Sequence, residues 1–283
     1  MINGTTKLTG VIGNPIEHSL SPVMHNNAFN EMNMDYVYTA FHVMPENLKN
    51  VITGCKTLNI KGINVTIPYK TDIIQYLDEI DPIAEKINAV NTISFKNGIA
   101  KGYNTDGIGA IKSIESHTKL NNKNILILGS GGASKAITFT LTNENIDSLI
   151  IANRSKDNAI NLIDNLKNKT SFENITFHEI SNTNEIIDNV DIIINTTPIG
   201  MYPNDDVKPA IETDKINQNH VVMDIIYNPL DTILLKEAKK NGAKIIHGTE
   251  MLINQGIESF KIFTGTTPSF ESFEKPLLKK LQK

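Results

Sequence analysis

Apolar residues occur along this chain in short runs separated by stretches with helical spacing, and the alternation forms two series. From Lys7 to about Tyr103 the runs Val11-Ile12, Tyr36-Val37-Tyr38 and Ile63-Asn64-Val65 are strand candidates. A second series starts at Ile125-Leu126-Ile127-Leu128 and continues through Leu149-Ile150-Ile151, Ile192-Ile193-Ile194 and Val221-Val222-Met223. Strands that alternate with helices need crossover connections, so each series predicts an α/β unit with a mainly parallel sheet. The second series is apolar at every position and bounded by Gly, Asn or Asp, the pattern of strands buried on both faces. From Met251 to the C-terminus only helical spacing is left, interrupted near Thr267-Pro268, where proline disfavours helix in the residue before it. The tail therefore predicts two helices with no strand of their own, which must pack on another unit.

Length and composition agree with this division. The 283 residues are enough for two compact units, and 40% hydrophobic with 20% charged residues is ordinary globular composition. A net charge of -4 argues against a nucleic-acid partner, so any anion must meet a local positive site. The lone Cys55 cannot form an internal disulfide and reads as inert packing. With no secretory pattern at the start, it fits a reducing cytoplasm. No apolar run approaches the roughly 18–20 residues of a membrane span, and none is expected. The seven histidines show no metal-ligand spacing and no serine sits in a Gly-x-Ser-x-Gly elbow, so neither a metal site nor a serine triad is expected.

Directly after the first strand of the second series stands Gly129-Ser130-Gly131-Gly132-Ala133-Ser134, followed by helix-compatible Lys135-Ala136-Ile137. A strand, a glycine turn and a helix start present backbone N–H groups and a positive helix end to a pyrophosphate. Taken alone, the turn also fits an ordinary connection, and Ser134 replaces the third glycine of the full fingerprint. The next strand ends at Ala152-Asn153-Arg154-Ser155, about 20 residues on, where an NAD enzyme places a carboxylate on the ribose. Arg154 would instead grip a 2′-phosphate, although a solvated arginine at a strand end looks the same in sequence. Position and turn together favour NADP over NAD.

Four polar clusters follow apolar runs: Ser19-Leu20-Ser21-Pro22 with His25-Asn26, Asn64 through Lys70, Asn91-Thr92, and Asn104-Thr105-Asp106-Gly107. Singly, each reads as turn chemistry. Ser21 and Thr105 are expected as helix caps, and Pro22 and Pro68 suit first helical turns. Jointly they offer hydroxyls, amides, an ammonium and a carboxylate, a set suited to a compact polar anion.

These clusters, with Ala89-Val90-Asn91-Thr92, Asn153-Arg154-Ser155, Asn195 through Met201, Asp224 through Pro229, and Gly248 with Gln255 and Phe260, closely resemble the shikimate dehydrogenase family along the whole chain. The resemblance implies reversible NADP-dependent reduction of 3-dehydroshikimate to shikimate, on the route to chorismate and aromatic amino acids. It implies a substrate domain of residues 1–105 completed by helices 249–283, a Rossmann-type domain of 106–248, and a monomer or homodimer. Lys70 and Asp106 match the catalytic pair. Ser19, Ser21, Asn64, Thr66, Asn91, Tyr227 and Gln255 match substrate contacts, the two serines matching those that hold the carboxylate. Gly129, Ser130, Gly131, Gly132 and Ala133 would meet the pyrophosphate, and Asn153, Arg154, Ser155 and Lys156 the 2′-phosphate. Thr197, Ile225 and Gly248 would line the nicotinamide side. Two positions depart from the family pattern: Asn158 stands where a second basic residue is common, and Ile225 where methionine is. Within the same chemistry, a quinate or aminoshikimate dehydrogenase is the alternative. A ligand sensor without turnover would not need both Lys70 and Asp106.

Overall fold

The computed structural model describes residues 2–282, and they form two compact units. One holds residues through 106 together with those from 253 on, and the other holds Gly107–Leu252.

In the first unit the chain runs β1 (Lys7–Gly13), α1 (Ser21–Glu31), β2 (Tyr36–His42), α2 (Leu48–Thr57), β3 (Gly62–Val65), β4 (Glu79–Ile80), α3 (Pro82–Ile87), β5 (Thr92–Lys96) and β6 (Ile99–Tyr103). The sheet order is β2-β1-β3-β5-β6-β4. Its pairs are parallel except β3 with β5 and β5 with β6. The antiparallel hairpin is made by Asn97-Gly98, whose φ angles of 53° and 79° give the turn twist that matches the strands. That Asn-Gly signal lay in the sequence beside the parallel pattern. A core of Ile12, Ile52, Ile63, Val65, Ile73 and Ile93 fills one side of this sheet.

The second unit runs α4 (Asp106–Glu115, whose first residue belongs to the first unit), β7 (Asn124–Leu128), α5 (Gly132–Leu141), β8 (Ser148–Asn153), α6 (Lys156–Lys169), β9 (Ile175–Glu179), β10 (Ile192–Asn195), β11 (Val221–Asp224), α7 (Ile233–Lys240) and β12 (Lys244–Ile246). Its six strands are all parallel in the order β12-β11-β10-β7-β8-β9. This is the doubly wound dinucleotide-binding arrangement, in which the order reverses beside β7 and ligands bind past the strand ends at that point. The uniformly apolar runs are buried along β7, β10 and β11 as expected for strands covered on both faces.

The chain ends in α8 (Gly248–Thr264) and α9 (Phe270–Leu281), separated where the Thr267-Pro268 break was expected. The tail packs on the first unit. Gly62 of β3 has no room for a side chain, because a Cβ there would lie 2.0 Å from the Phe263 ring. Phe260 and Phe273 join Phe29 and the His25 ring of α1, with His25 stacked 4.2 Å from Tyr38. His25 is buried, its Nδ1 has no partner among the described residues, and burial lowers its pKa to about 3. Cys55 is buried, and its thiol is pushed up to about 12 by burial, in keeping with inert packing. Among the described residues no helix is long and apolar enough to cross a membrane.

Candidate active site

In the first unit, polar side chains collect where β3 and β6 end and β5 begins. Asn91, placed just before β5, is oriented without ambiguity: the Thr105 N–H can only donate, and it meets Asn91 Oδ1 at 2.9 Å. Asn91 Nδ2 therefore faces Asp106 Oδ1 at 2.8 Å and the Thr105 hydroxyl at 2.9 Å. The other carboxylate oxygen of Asp106 accepts from Lys70 Nζ at 2.6 Å. Lys70 reaches it from the turn after β3, and its own carbonyl is held by Val90 N–H at 2.7 Å. Lys70 is about one-third exposed and Asp106 less, so the pair is neither solvated freely nor sealed off. Both acidic oxygens are occupied by fixed donors while the ammonium keeps protons to donate.

Behind this pair, Asn64 Nδ2 faces the Asn91 carbonyl at 3.1 Å and the hydroxyls of Thr92 and Ser259 at 3.0 and 2.9 Å. Its Oδ1 must then accept, and the Tyr38 hydroxyl donates to it at 2.7 Å. The Ser21 side chain lies beside the Tyr38 hydroxyl oxygen. Thr105 Oγ1 reaches Gln255 Oε1 at 3.5 Å. The structure thus joins Asn64, Asn91, Gln255, Lys70 and Asp106 in one network, and Ser21 stands at its edge. Ser19 lies next to it, its Oγ accepting from Ser21 N at 3.4 Å, and Thr66 stands at the end of β3 with its methyl against Gly13. Tyr227 belongs to the other unit, on the exposed loop after β11.

Three cap and turn expectations are corrected. Ser21 is the first residue of α1 and makes no cap, because Leu20 occupies the cap position; Pro22 does sit in the first turn. Thr105 spends its hydroxyl on Asn91 and Ser259, and Asn104 Oδ1 receives the Asp106 N–H instead, at 3.1 Å. Pro68 lies in a tight turn rather than a helix start, since Tyr69 is pulled inward to bond the Thr66 and Val43 carbonyls. Sequence reasoning missed Tyr38 and Ser259. Ser259 follows Gln255 by four residues and so shares its helix face, a signal that was present. Tyr38 carried none, because a tyrosine in a strand reads as core.

In the second unit, Gly129 has φ +104°, and a Cβ there would come within 2.8 Å of Thr196 Oγ1. Around Gly131 and Gly132 a Cβ would meet nothing within 4 Å, so the backbone at the start of α5 is open to a ligand. Ser130 and Ala133 flank this opening, both half-buried. Ser134 is buried and donates to the Gly129 carbonyl at 2.8 Å, which tightens the turn that a third glycine would otherwise serve. At the end of β8, Asn153 Nδ2 donates to the Ser155 carbonyl, and Ser155 Oγ caps α6 by accepting from Asn158 N at 3.4 Å. Arg154 and Lys156 are exposed there and form no ion pair among the described residues. An open helix N-terminus with two free cations near it fits a dinucleotide carrying an extra phosphate. Thr197 is tied to Asn195, and Ile225 is half-buried. Gly248 is backed by the Ile225 and Ile226 carbonyls, each 2.4 Å from where its Cβ would lie. No cluster of metal-binding side chains occurs among the described residues.

Three family models match in order along the chain. They are the shikimate dehydrogenase substrate-binding domain over residues 11–93, shikimate/quinate 5-dehydrogenase over 111–232, and the shikimate 5′-dehydrogenase C-terminal domain over 248–278. The chain is 72% identical over 282 residues, covering 100% of both chains, to the NADP(+) shikimate dehydrogenase of Methanosphaera stadtmanae. It is 51% identical over 287 residues, again covering 100% of both, to that of Methanocaldococcus jannaschii. A crystal structure of a shikimate dehydrogenase in complex with NADP+ superposes with a TM-score of 0.93 at 49% identity, covering 100% of this chain and 98% of that one.

Proposed function

Because the chain belongs to the shikimate dehydrogenase family, we infer that it is an NADP-dependent oxidoreductase that reversibly reduces 3-dehydroshikimate to shikimate, with Lys70 and Asp106 handling the proton. The observation that carries this reading is the 2.6 Å Lys70–Asp106 pair, with Asn91 turned to hold the carboxylate. Bound NADPH supplies the hydride, which moves to the ketone carbon of the substrate. Negative charge then develops on the carbonyl oxygen, where a cationic donor lowers the barrier both electrostatically and by giving up a proton. Lys70 Nζ is that donor. Asp106 keeps the ammonium aimed and accepts from a neighbouring substrate hydroxyl, while Asn91 prevents its carboxylate from turning away.

Ser19 and Ser21 take the substrate carboxylate, Asn64, Thr66 and Gln255 its remaining polar edge, and Tyr227 a further hydroxyl. Gly129 to Ala133 meet the pyrophosphate, and Asn153 to Lys156 the 2′-phosphate, with Arg154 as the main cation. Thr197, Ile225 and Gly248 line the nicotinamide side. The lone, buried Cys55 suits a reducing cytoplasm, and the family resemblance implies a monomer or homodimer. The test is NADPH absorbance followed with 3-dehydroshikimate and, separately, with 3-dehydroquinate. Rapid oxidation with the first and little with the second supports this reading, and the reverse preference makes the chain a quinate dehydrogenase.

A further inference from the structure

In the second unit β10 and β11 end side by side on a polar pair that the proton transfer does not use. Asn195 and Asp224 are the last residues of these strands and are register partners. Both are buried, at 2% and 0% exposure. The Thr197 N–H, which can only donate, meets Asn195 Oδ1 at 3.1 Å, and the Thr197 hydroxyl donates to the same oxygen at 2.7 Å. The amide is thereby oriented, and its Nδ2 donates to Asp224 Oδ1 at 3.1 Å. Asp224 Oδ1 also accepts from Ile226 N–H at 3.1 Å, and Oδ2 accepts from the Thr232 hydroxyl at 2.8 Å.

One carboxylate thus gathers three donors with no cation paired to it among the described residues. Burial raises its pKa above the usual carboxylate range, against the pull of those donors. A buried, unpaired charge is a poor device for stability, since apolar residues of the same volume would serve the core as well. What it does supply is direction. Asn195 aims the loop after β10, and Asp224 aims the loop after β11, which Gly248 closes from its other side by backing onto the Ile225 and Ile226 carbonyls.

We propose that Asp224 and Asn195 are positioning residues for hydride transfer, a buried clamp that sets the 196–199 and 225–227 loops at the nicotinamide end of the cofactor. The proposal rests on the reading of Thr197, Ile225 and Gly248 as the nicotinamide side. Hydride transfer depends on near-contact geometry, and a shift of about 1 Å in a positioning loop costs on the order of a hundredfold in rate.

The test uses the full chain with NADP. Asn195→Ala cuts the arm to Thr197 and leaves Asp224 bonded to Ile226 and Thr232. Asp224→Ala cuts the arm to Ile226 and leaves Asn195 Nδ2 without its acceptor, while Asn195 Oδ1 still receives Thr197. Asp224→Asn keeps the shape, because its amide can face Thr232, whose hydroxyl can turn to accept. Asn195→Ala is expected to lower kcat about tenfold to a hundredfold. Its Kd for 2′,5′-ADP, which carries the 2′-phosphate and no nicotinamide, should stay within about twofold of wild type, less than the roughly 1.4 kcal/mol of a tenfold change. In amide hydrogen exchange, Asn195→Ala should unprotect Thr197 N–H and spare Ile226 N–H, Asp224→Ala should unprotect Ile226 N–H and loosen Thr197 N–H less, and Asp224→Asn neither. Unchanged kcat in Asn195→Ala, or kcat and 2′,5′-ADP affinity falling together, would show a purely structural pair and overturn the proposal. If Asp224→Ala does not fold, the other two variants decide by the same readouts. A wild-type chain that fails to oxidise shikimate with NADP overturns the function reading instead, while the exchange pattern still decides whether the clamp exists.

Discussion

A lysine that gives up a proton and a lysine that only binds differ in which kinetic constant they set. Lys70→Met keeps much of the side-chain volume and removes the donor from Asp106 Oδ2. Turnover is expected to fall roughly 10²–10⁴-fold, the usual contribution of acid–base catalysis, with a much smaller rise in the shikimate KM. Near-normal kcat with weakened binding would make Lys70 a binding group. His25 is a second residue whose protonation has a measurable consequence. Its folded pKa of about 3 lies below the ordinary histidine value, so the unfolded chain binds the proton more readily. Stability from this group is complete above about pH 6.5 and is lost as pH falls toward 3, amounting to about 2 kcal/mol by pH 5. Urea unfolding at pH 7 and pH 5 should therefore show a drop that a non-titrating His25→Leu variant lacks. Equal pH slopes for the two proteins would mean that His25 gains a partner or solvent in the folded state.

At the scale of elements, α1 starts without a side-chain cap, and this separates two readings of its serines. Leu20 occupies the cap position, while Ser21 faces Tyr38 and Ser19 accepts from the Ser21 N–H. Replacing both serines with alanine should weaken shikimate binding, leave NADP binding unchanged, and lower stability by less than the roughly 1 kcal/mol typical of a lost cap. Thermal midpoints measured beside substrate affinity decide it: a large stability loss with intact affinity would return Ser21 to a capping role. The C-terminal helices act on the same site from the other direction. Ser259 of α8 places its hydroxyl among Asn64, Thr92 and Thr105, and Phe263 presses on Gly62 of β3. A tail without strands is thereby part of the floor beneath Asn64 and Asn91. Its helical spacing gave its secondary structure, but not the partners of Ser259, which come from residues more than 150 positions away.

For the whole molecule, cofactor binding is also a stability measurement. NADP that binds only the folded chain should stabilise it by about 2.7 kcal/mol at a hundred times its Kd, seen as a raised melting midpoint. Arg154→Ala at the same NADP concentration should lose most of that shift, and NAD should stabilise both proteins equally. Equal stabilisation of wild type by the two cofactors would remove Arg154 from the 2′-phosphate. The alternation of the main strands with helices, the parallel second sheet, the glycine turn and the terminal helices were determined by the sequence alone, while the short strands β4, β9 and β12 and the β5–β6 hairpin were not. Each of the former depends on local pattern: apolar periodicity, a break at glycine or proline, or the spacing from one strand to the next. Several residues of the polar network around Lys70 and Asp106 were legible too, through motifs such as Asn64-Val65-Thr66 and Asn104-Thr105-Asp106. The tertiary structure decided how those residues use their donors and acceptors. Thr105 has the chemistry of a cap, and only the neighbours brought in by folding, Asn91 and Ser259, claim its hydroxyl first. A hydrogen bond is satisfied once, by whichever partner lies in reach, and reach across a sheet or between helices is not written in local sequence.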